Sequence, residues 1–138
     1  MSYKLISIVE NPKMIMGIFG DEEIILKEVE VMELKISFGC KPSAYFRFQL
    51  PTYPKTPPAR WIANRFNAAI MTLDLSLISS FEVHNFSDFT KGNICFEKNG
   101  DEIVLIFQGD NCSFKIQSEF LYVYGLIGVI IDDSDKAF

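Results

Sequence analysis

The chain has 138 residues, of which 49% are hydrophobic and 14% aromatic, and its 13 basic and 18 acidic side chains give a formal net charge of −5. The length is that of one domain. The apolar content excludes a disordered or low-complexity protein, because such chains lack the apolar surface that offsets chain entropy. The acidic balance argues against direct nucleic-acid binding, which needs a basic surface to displace counterions.

The cysteines and the apolar runs predict a cytoplasmic protein without a membrane segment. Cys40, Cys95 and Cys112 form no CxxC pair and no metal-ligand spacing, so we expect reduced thiols. The apolar run that follows the N-terminus is too short for a signal peptide. The longest uncharged run, residues 120–131, is too short to span a bilayer, and we interpret it as a buried strand.

One short helix is predicted near residues 11–20. Asn11 is placed to cap the free N–H groups, Pro12 fits the first helical position, and Gly20 fits the end of the helix. The apolar side of this segment comprises Met14, Ile15, Ile18 and Phe19.

Most of the remaining chain alternates apolar and polar residues with a period of two, which predicts about eight short strands. Val31 and Met32 switch the parity of this alternation, which indicates a β-bulge. Turns at 39–43, Asn99-Gly100 and 109–111 predict hairpins. The strands are expected near 29–38, 46–50, 67–77, 81–83, 94–96, 103–107, 114–116 and 120–124, the last extending to about 131.

These elements predict a single β-rich domain over residues 1–138. Strands at this spacing are typical of an antiparallel sandwich or a partly open barrel, and the choice between the two stays open. Residues 51–58 hold four of the six prolines and predict a stiff, extended connection on the surface. The acidic tail, 132–138, is expected to fray.

The sequence offers little for catalysis. His84 is the one histidine, and as a general base it would need Asp74, Ser87 or Asp88 beside it. An exposed strand histidine is the simpler interpretation. Glu28 and Glu30 are predicted to share one strand face and could couple as an acid–base pair, but a solvated strand face explains them as well. We predict neither a cofactor nor a metal site.

The charge distribution is more informative. Residues 39–66 carry a net charge of +5 and no acidic residue, while residues 1–38 carry −3 and residues 67–138 carry −7. Aromatic residues stand within the basic block. One interpretation is a mixed solvated surface with Trp61 in the core. The other is a protein-binding rim formed by Tyr53, Lys55, Arg60 and Trp61.

The order of several motifs resembles the Immunity protein 50 family of bacterial polymorphic toxin systems. The resemblance covers about residues 8–125 and depends on a few segments: Asn11-Pro12, Phe19-Gly20, Leu50-Pro51, Pro57-Pro58-Ala59-Arg60-Trp61, Asn67 and Leu73-Asp74-Leu75. It implies a small, non-enzymatic, cytoplasmic protein that protects its cell, as in contact-dependent inhibition, by binding a cognate toxin C-terminal domain. It also implies that Trp61 anchors the sheet edge and that Asn67 bonds to backbone.

The resemblance gives no contact residues, so we predict them from charge. Many antibacterial toxins are nucleases with a basic cleft, and an acidic partner would be steered to such a cleft. The predicted toxin-binding residues are Asp21, Glu22, Glu23, Glu28, Glu30 and Glu33. The alternative function is a small-molecule-binding β-barrel carrier, which the 13 Phe residues would suit. The toxin's identity and the oligomeric state are left open.

Overall fold

The computed structural model describes residues 2–85 and 90–131, which form six strands and three short helices. The helices are α1 (Leu5–Ile8), α2 (Lys13–Phe19) and α3 (Ala59–Ala63). The strands are β1 (Val29–Ser37), β2 (Ser43–Gln49), β3 (Ala68–His84), β4 (Lys91–Asn99), β5 (Glu102–Gly109) and β6 (Ser113–Val129). The prediction of a mainly antiparallel β protein is confirmed, whereas the predicted single helix is one of three in the described residues.

The six strands follow the order β1-β2-β3-β6-β5-β4, and the sheet closes on itself. Closure occurs through two residue pairs between β1 and β4, Val29 with Gly92 and Glu30 with Lys91. The structure is therefore one closed sheet, and neither the predicted sandwich nor the predicted partly open barrel describes it.

The predicted count of eight strands is wrong because two of the strands are long and continuous. β3 and β6 have 17 residues each. β3 joins the predicted strands 67–77 and 81–83, and β6 joins 114–116 and 120–124. Their pairing is interrupted by irregularities at Thr72/Leu73 and Ile78/Ser80. Such irregularities increase local twist and let a long pair of strands bend around a closed sheet.

The predicted β-bulge in β1 is confirmed, since the register with β2 shifts between Val31 and Glu33. The shift places Leu34 opposite Phe46 and Ile36 opposite Ala44, on the core side of the sheet. Two residues of the predicted alternation do not follow it. Met32 is the additional residue at the shift and is 49% exposed, and Phe38, beyond the end of β1, is 90% exposed.

Buried phenylalanine rings fill the centre of the closed sheet. Phe46 lies with its ring centroid 4.9 Å from that of Phe48, 6.0 Å from that of Phe107 and 5.0 Å from that of Phe114. Phe107 and Phe114 stack at 5.0 Å. Aromatic pairs at these distances add to the free energy gained from burial alone. The rings therefore contact one another where a carrier would need to hold a ligand.

The predicted helix at 11–20 is present as α2, but Asn11 does not cap it. Pro12 occupies the N-cap position, while the Asn11 side chain donates to the Val123 carbonyl and accepts from the Val123 N–H, both at 2.8 Å. β5 covers this edge of β6 only up to Ser118. Asn11 therefore satisfies backbone groups at the edge of β6. Gly20 ends the helix with φ 61°, as predicted. α1 and α3 were not predicted.

Trp61 lies on α3 and is 1% exposed, so it belongs to the core. Its ring lies 5.8 Å from that of Tyr53 and 6.2 Å from that of Phe66. It also packs over Gly128 of β6, where an added Cβ would lie 2.8 Å from Trp61 Cδ2 and would also collide with Phe66. Gly128 is thus required for this close approach.

Asn67 bonds to backbone, as the resemblance implied. Its side chain donates to the Ile131 carbonyl at 2.7 Å and accepts from the Ile131 N–H at 2.8 Å. The proline connection, 51–58, forms no strand, as predicted. It is not wholly on the surface, however, because Pro54 is buried and Tyr53 packs against Trp61.

The predicted hairpin at Asn99-Gly100 is confirmed: Asn99 pairs with Glu102, and Gly100 takes φ 65° in the turn. At the turn before β6, Gly109 N–H donates to the Cys112 carbonyl at 2.9 Å. The tail 132–138 lies outside the described residues. Within residues 2–85 and 90–131, no helix has the length and apolar character that a membrane crossing requires.

We predict that Trp61→Ala lowers the free energy of unfolding by about 3–5 kcal/mol, because it empties a large buried site. The matched control is Ile62→Ala on the same helix, where the side chain is 63% exposed and the expected loss is under about 1 kcal/mol. Urea unfolding measures both. A loss below about 1 kcal/mol for Trp61→Ala would contradict the packing described for α3.

Candidate functional site

The structure separates the six predicted toxin-binding acids into three places. Asp21, Glu22 and Glu23 follow α2 in a turn and loop. The Glu23 carboxylate lies 3.9 Å from the Lys4 ammonium, and Glu22 accepts the backbone N–H of Lys55 at 2.8 Å. Glu28 lies just before β1, which is the second place, and Glu30 and Glu33 lie on β1, which is the third.

Glu28 and Glu30 do not share a strand face, so the hypothesis of an acid–base pair is wrong. Glu28 precedes β1 in the left-handed conformation, with φ 56°, and its backbone N–H donates to Asn93 Oδ1 at 2.9 Å. Glu30 and Glu33 lie on β1, where Glu30 is paired with Gln49 and Glu33 with Arg47.

The loop acids border an open groove of about 530 Å³ between the N-terminal segment and β4, which we call the N-terminal groove. Exposed apolar side chains such as Ile6 and Met16 line it. Lys4 and Lys27 stand beside the acids. The groove therefore has mixed charge, and Glu22 and Glu23 already have partners within the chain.

The alternative interface is not assembled as a rim. Trp61 is buried, which supports the interpretation that placed it in the core. Tyr53 is half-buried against Trp61, and its hydroxyl finds no hydrogen-bond partner among the described residues. Lys55 and Arg60 are exposed. Of the four residues of this predicted rim, Lys55 and Arg60 are therefore the two that are exposed to a partner.

Sequence reasoning missed a cluster of aromatic residues on the outside of β2, β3 and β6. Asp74 of β3 is paired with Tyr45 on one side and Tyr122 on the other. Ser76, two residues further on, is paired with Ser43 and Phe120. We call this surface the aromatic face, and it comprises Tyr45, Asp74, Ser76, Phe120, Tyr122 and Tyr124.

The interpretation of residues 120–131 as a buried strand is wrong for alternate positions. Leu121 and Val123 are buried, but Phe120 is 39% exposed, Tyr122 37% and Tyr124 66%. The run lacks charge, but it still alternates, and this alternation was the signal that could have located the outer residues.

The aromatic side chains are ordered by contacts with each other. The rings of Tyr45 and Tyr124 meet edge to face at 5.2 Å, and those of Phe120 and Tyr122 lie 6.4 Å apart. Tyr124 is the additional residue at the irregularity between β3 and β6, since Thr72 pairs with Gly125 and Leu73 with Val123. Tyr124 thus stands out from the sheet towards β2.

Asp74 is the acidic group at the centre of this face. Its Oδ1 accepts a hydrogen bond from Ser76 Oγ at 3.2 Å. Partial burial raises the pKa of the Asp74 carboxyl, and the Ser76 hydrogen bond offsets this only in part. Asp74 lines a depression of about 350 Å³ with Lys41, Tyr45, Phe120 and Tyr122 among its neighbours. The depression offers a carboxylate between aromatic walls.

The structure does not bring His84 next to Asp74. His84 is exposed near the end of β3, paired with Ser113, and it lies ten residues along the strand from Asp74, about 30 Å away. Ser87 and Asp88 lie outside the described residues. The interpretation as an exposed strand histidine is thus supported.

The cysteines and acids give no further chemistry in the described ranges. Cys40, Cys95 and Cys112 are free, and burial together with the nearby Glu97 carboxylate raises the pKa of the Cys95 thiol, which disfavours the reactive thiolate. Among residues 2–85 and 90–131, no three His, Cys, Asp or Glu side chains are grouped as a metal site would require.

These observations define a small, mainly antiparallel β protein with an outer face rich in tyrosine and phenylalanine, residue types enriched at protein–protein interfaces. The family model of Immunity protein 50 matches residues 11–126, and the chain belongs to this family. The resemblance stated from the motifs is thereby confirmed. No curated protein and no solved structure matches the chain.

We predict that Asp74→Asn raises the free energy of unfolding at pH 7. The fold raises the pKa of this carboxyl, so the folded protein favours the protonated form, and ionisation at higher pH costs stability. The gain from Asp74→Asn should shrink as pH falls through the folded pKa, because the wild-type group then becomes neutral as well.

Urea unfolding of wild type and of Asp74→Asn, from pH 7 down through the folded pKa of Asp74, measures the difference in their free energies of unfolding. The matched control is Asp110→Asn in the exposed turn before β6. An Asp74→Asn protein that is less stable than wild type at pH 7 would show that the carboxylate stabilises the fold.

Proposed function

We propose that this protein binds a cognate toxin C-terminal domain directly and neutralises it in the cytoplasm of the producing cell, without catalysing a reaction. Membership of the Immunity protein 50 family supports a toxin as the partner. The observation that carries the proposal is the aromatic face, where three aromatic side chains of β6 and Tyr45 of β2 stand on the outside of the sheet.

Aromatic side chains favour such a role for a physical reason. Tyr and Phe present a large, rigid contact area, and binding energy concentrates on such anchors near the centre of an interface. Glu33 is paired with Arg47, which lies two residues from Tyr45 on the same face of β2. Glu30 and Glu33 therefore extend the aromatic face towards β1, and we place the toxin contact there.

The negative charge of the chain supports a basic toxin surface as the partner. A net charge of −5 raises the rate of encounter with a positively charged cleft. A nuclease is a toxin class that has such a cleft. In this proposal Glu30 and Glu33 lie at the contact, while Asp21, Glu22, Glu23 and Glu28 contribute through the longer-range field.

The carrier alternative is not supported by the core packing. A carrier of this kind would need apolar side chains lining an open interior. Phe46 and its neighbouring rings instead contact each other at 4.9–6.0 Å.

The proposal predicts protection of cells. We expect the gene immediately upstream to encode a toxin C-terminal domain, which should stop growth when expressed alone and should permit growth when it is expressed together with this protein. The purified pair should form a complex that elutes as one species. The control is a toxin domain from an unrelated system, which should remain toxic. Unprotected cells together with no complex would reject the proposed function.

A second prediction concerns the acids near β1. Replacing Glu28, Glu30 and Glu33 by Lys should weaken toxin binding by about tenfold or more at low salt, and should flatten its salt dependence, because steering by these charges is lost. Calorimetric titration at several salt concentrations measures both effects.

The matched control changes the net charge equally outside β1 and the aromatic face, by replacing Glu82, Glu97 and Asp101 with Lys. These acids are exposed near the end of β3, on β4 and in the β4–β5 turn. Equal affinity and an equal salt slope for wild type and the first variant would remove Glu30 and Glu33 from the contact and would exclude a contribution of Glu28 to the field.

A further inference from the structure

We infer that Asp74 binds a cationic side chain, arginine or lysine, that the toxin domain inserts between Tyr45 and Tyr122. The inference rests on the proposed function and assigns the chemistry of its central contact. It depends on the position of Asp74 in the sheet, on the aromatic residues around it, and on the absence of a bound cation among residues 2–85 and 90–131.

The register of three strands places a single carboxylate between two tyrosines. Directly paired residues on one face of an antiparallel sheet have Cβ atoms about 4.5–5.5 Å apart. Tyr45 and Tyr122 therefore flank Asp74 at this spacing, one on each side. An arginine or lysine that reaches Asp74 passes along aromatic rings, and a cation at a ring face is attracted by the ring electrons.

The hydrogen bonds of Asp74 within the described residues leave most of its capacity free. Ser76 Oγ donates to Oδ1 at 3.2 Å, and no other side chain of residues 2–85 and 90–131 donates to this carboxylate. An ionised carboxylate can accept about four hydrogen bonds. In the free protein, water satisfies the remainder, because Asp74 is only half-buried.

Binding of a partner to the aromatic face changes the hydration of the Asp74 carboxylate. A partner that packs against Phe120 and Tyr122 removes water from Asp74, and a buried carboxylate without a partner is strongly unfavourable. A positive charge supplied by the partner at this point compensates the carboxylate for the lost water. The raised pKa of Asp74 is consistent with a carboxylate whose desolvation the chain itself does not compensate.

Cationic side chains lie nearby, but none in the described part of the chain forms an ion pair with Asp74. Lys41 lines the same depression, Lys35 is paired with Tyr45, and Arg47 lies in the next row. Among the described residues, the ion pair within 4.0 Å is Lys4 with Glu23, and none joins Asp74. Lys35, Lys41 and Arg47 are exposed, so salt screens their repulsion of an incoming cation. Lys41 remains the internal competitor, and its replacement tests this point.

The first experiment titrates the upstream-encoded toxin domain into wild-type protein and three variants. Asp74→Asn should weaken binding by about 30-fold or more, the effect of removing one partner of a desolvated charge pair. Asp110→Asn, the exposed control, should bind within about twofold of wild type. Because we expect Asp74→Asn to be at least as stable as wild type, unfolding would not explain its weaker binding.

Lys41→Gln separates an internal partner from a toxin partner. If the toxin provides the cation, this variant should bind as wild type or more tightly, because a competing charge is gone. If Lys41 is the partner of Asp74 in the complex, Lys41→Gln should lose as much affinity as Asp74→Asn, and the inference would be overturned.

The second experiment tests the aromatic walls and identifies the cation. Tyr122→Phe keeps the ring and should bind as wild type, whereas Tyr122→Leu should bind about two- to fivefold more weakly. Each exposed Arg and Lys of the toxin domain is then replaced by Gln. One replacement should weaken binding to wild-type protein and have no further effect on binding to Asp74→Asn. If no replacement shows this coupling, the inference is wrong.

The outcomes distinguish the inference from the proposed function. Failure of wild-type protein to bind the toxin domain would reject both. Binding of wild-type protein with the same affinity for Asp74→Asn and Tyr122→Leu would reject the cationic contact alone and leave the proposed function standing.

Discussion

The pairing of β3 with β6 determines both the core and the aromatic face. Residues 68–84 pair antiparallel with residues 113–129, with register shifts at Thr72/Leu73 and Ile78/Ser80. In the segment between the two shifts, Leu73 and Val123 face the core while Asp74 and Tyr122 face outwards. A slip by one residue would exchange the two sets, because side chains alternate across a strand. Tyr124, the additional residue of β6 at the shift near Thr72, moves the alternation of side chains by one position. Leu126 therefore faces the core, and Gly128 packs against Trp61.

Much of the fold could be predicted because its signals are local. The period of two, the hairpin at Asn99-Gly100, the β-bulge after Val31 and the glycine at the end of α2 each depend on a few adjacent residues. The strand count could not, because continuity of β3 across Ile78 and Ser80 depends on pairing with distant β6. Asn11 likewise bonds to a strand 112 residues away, and nothing local distinguishes this role from helix capping.

The candidate site was harder to predict because it depends on which residues three strands bring side by side. The predicted acids are mostly exposed, but Glu28 takes a left-handed conformation and the loop acids pack beside the N-terminal segment. The N-terminal groove is the competing surface. We favour the aromatic face because Glu22 and Glu23 already have partners within the chain, whereas no cation of the residues that the structure describes is bound to Asp74. A charged residue between Leu73 and Leu75 was the available local signal.

Hydroxyl-radical footprinting of the protein with and without the toxin domain tests the location of the contact most directly, because radicals oxidise exposed Tyr, Phe and Met side chains. The account predicts that complex formation protects Phe120, Tyr122 and Tyr124, while Met16, exposed in the N-terminal groove, is oxidised at the same rate as before. Protection of Met16 with unchanged oxidation of the three aromatic residues would contradict it.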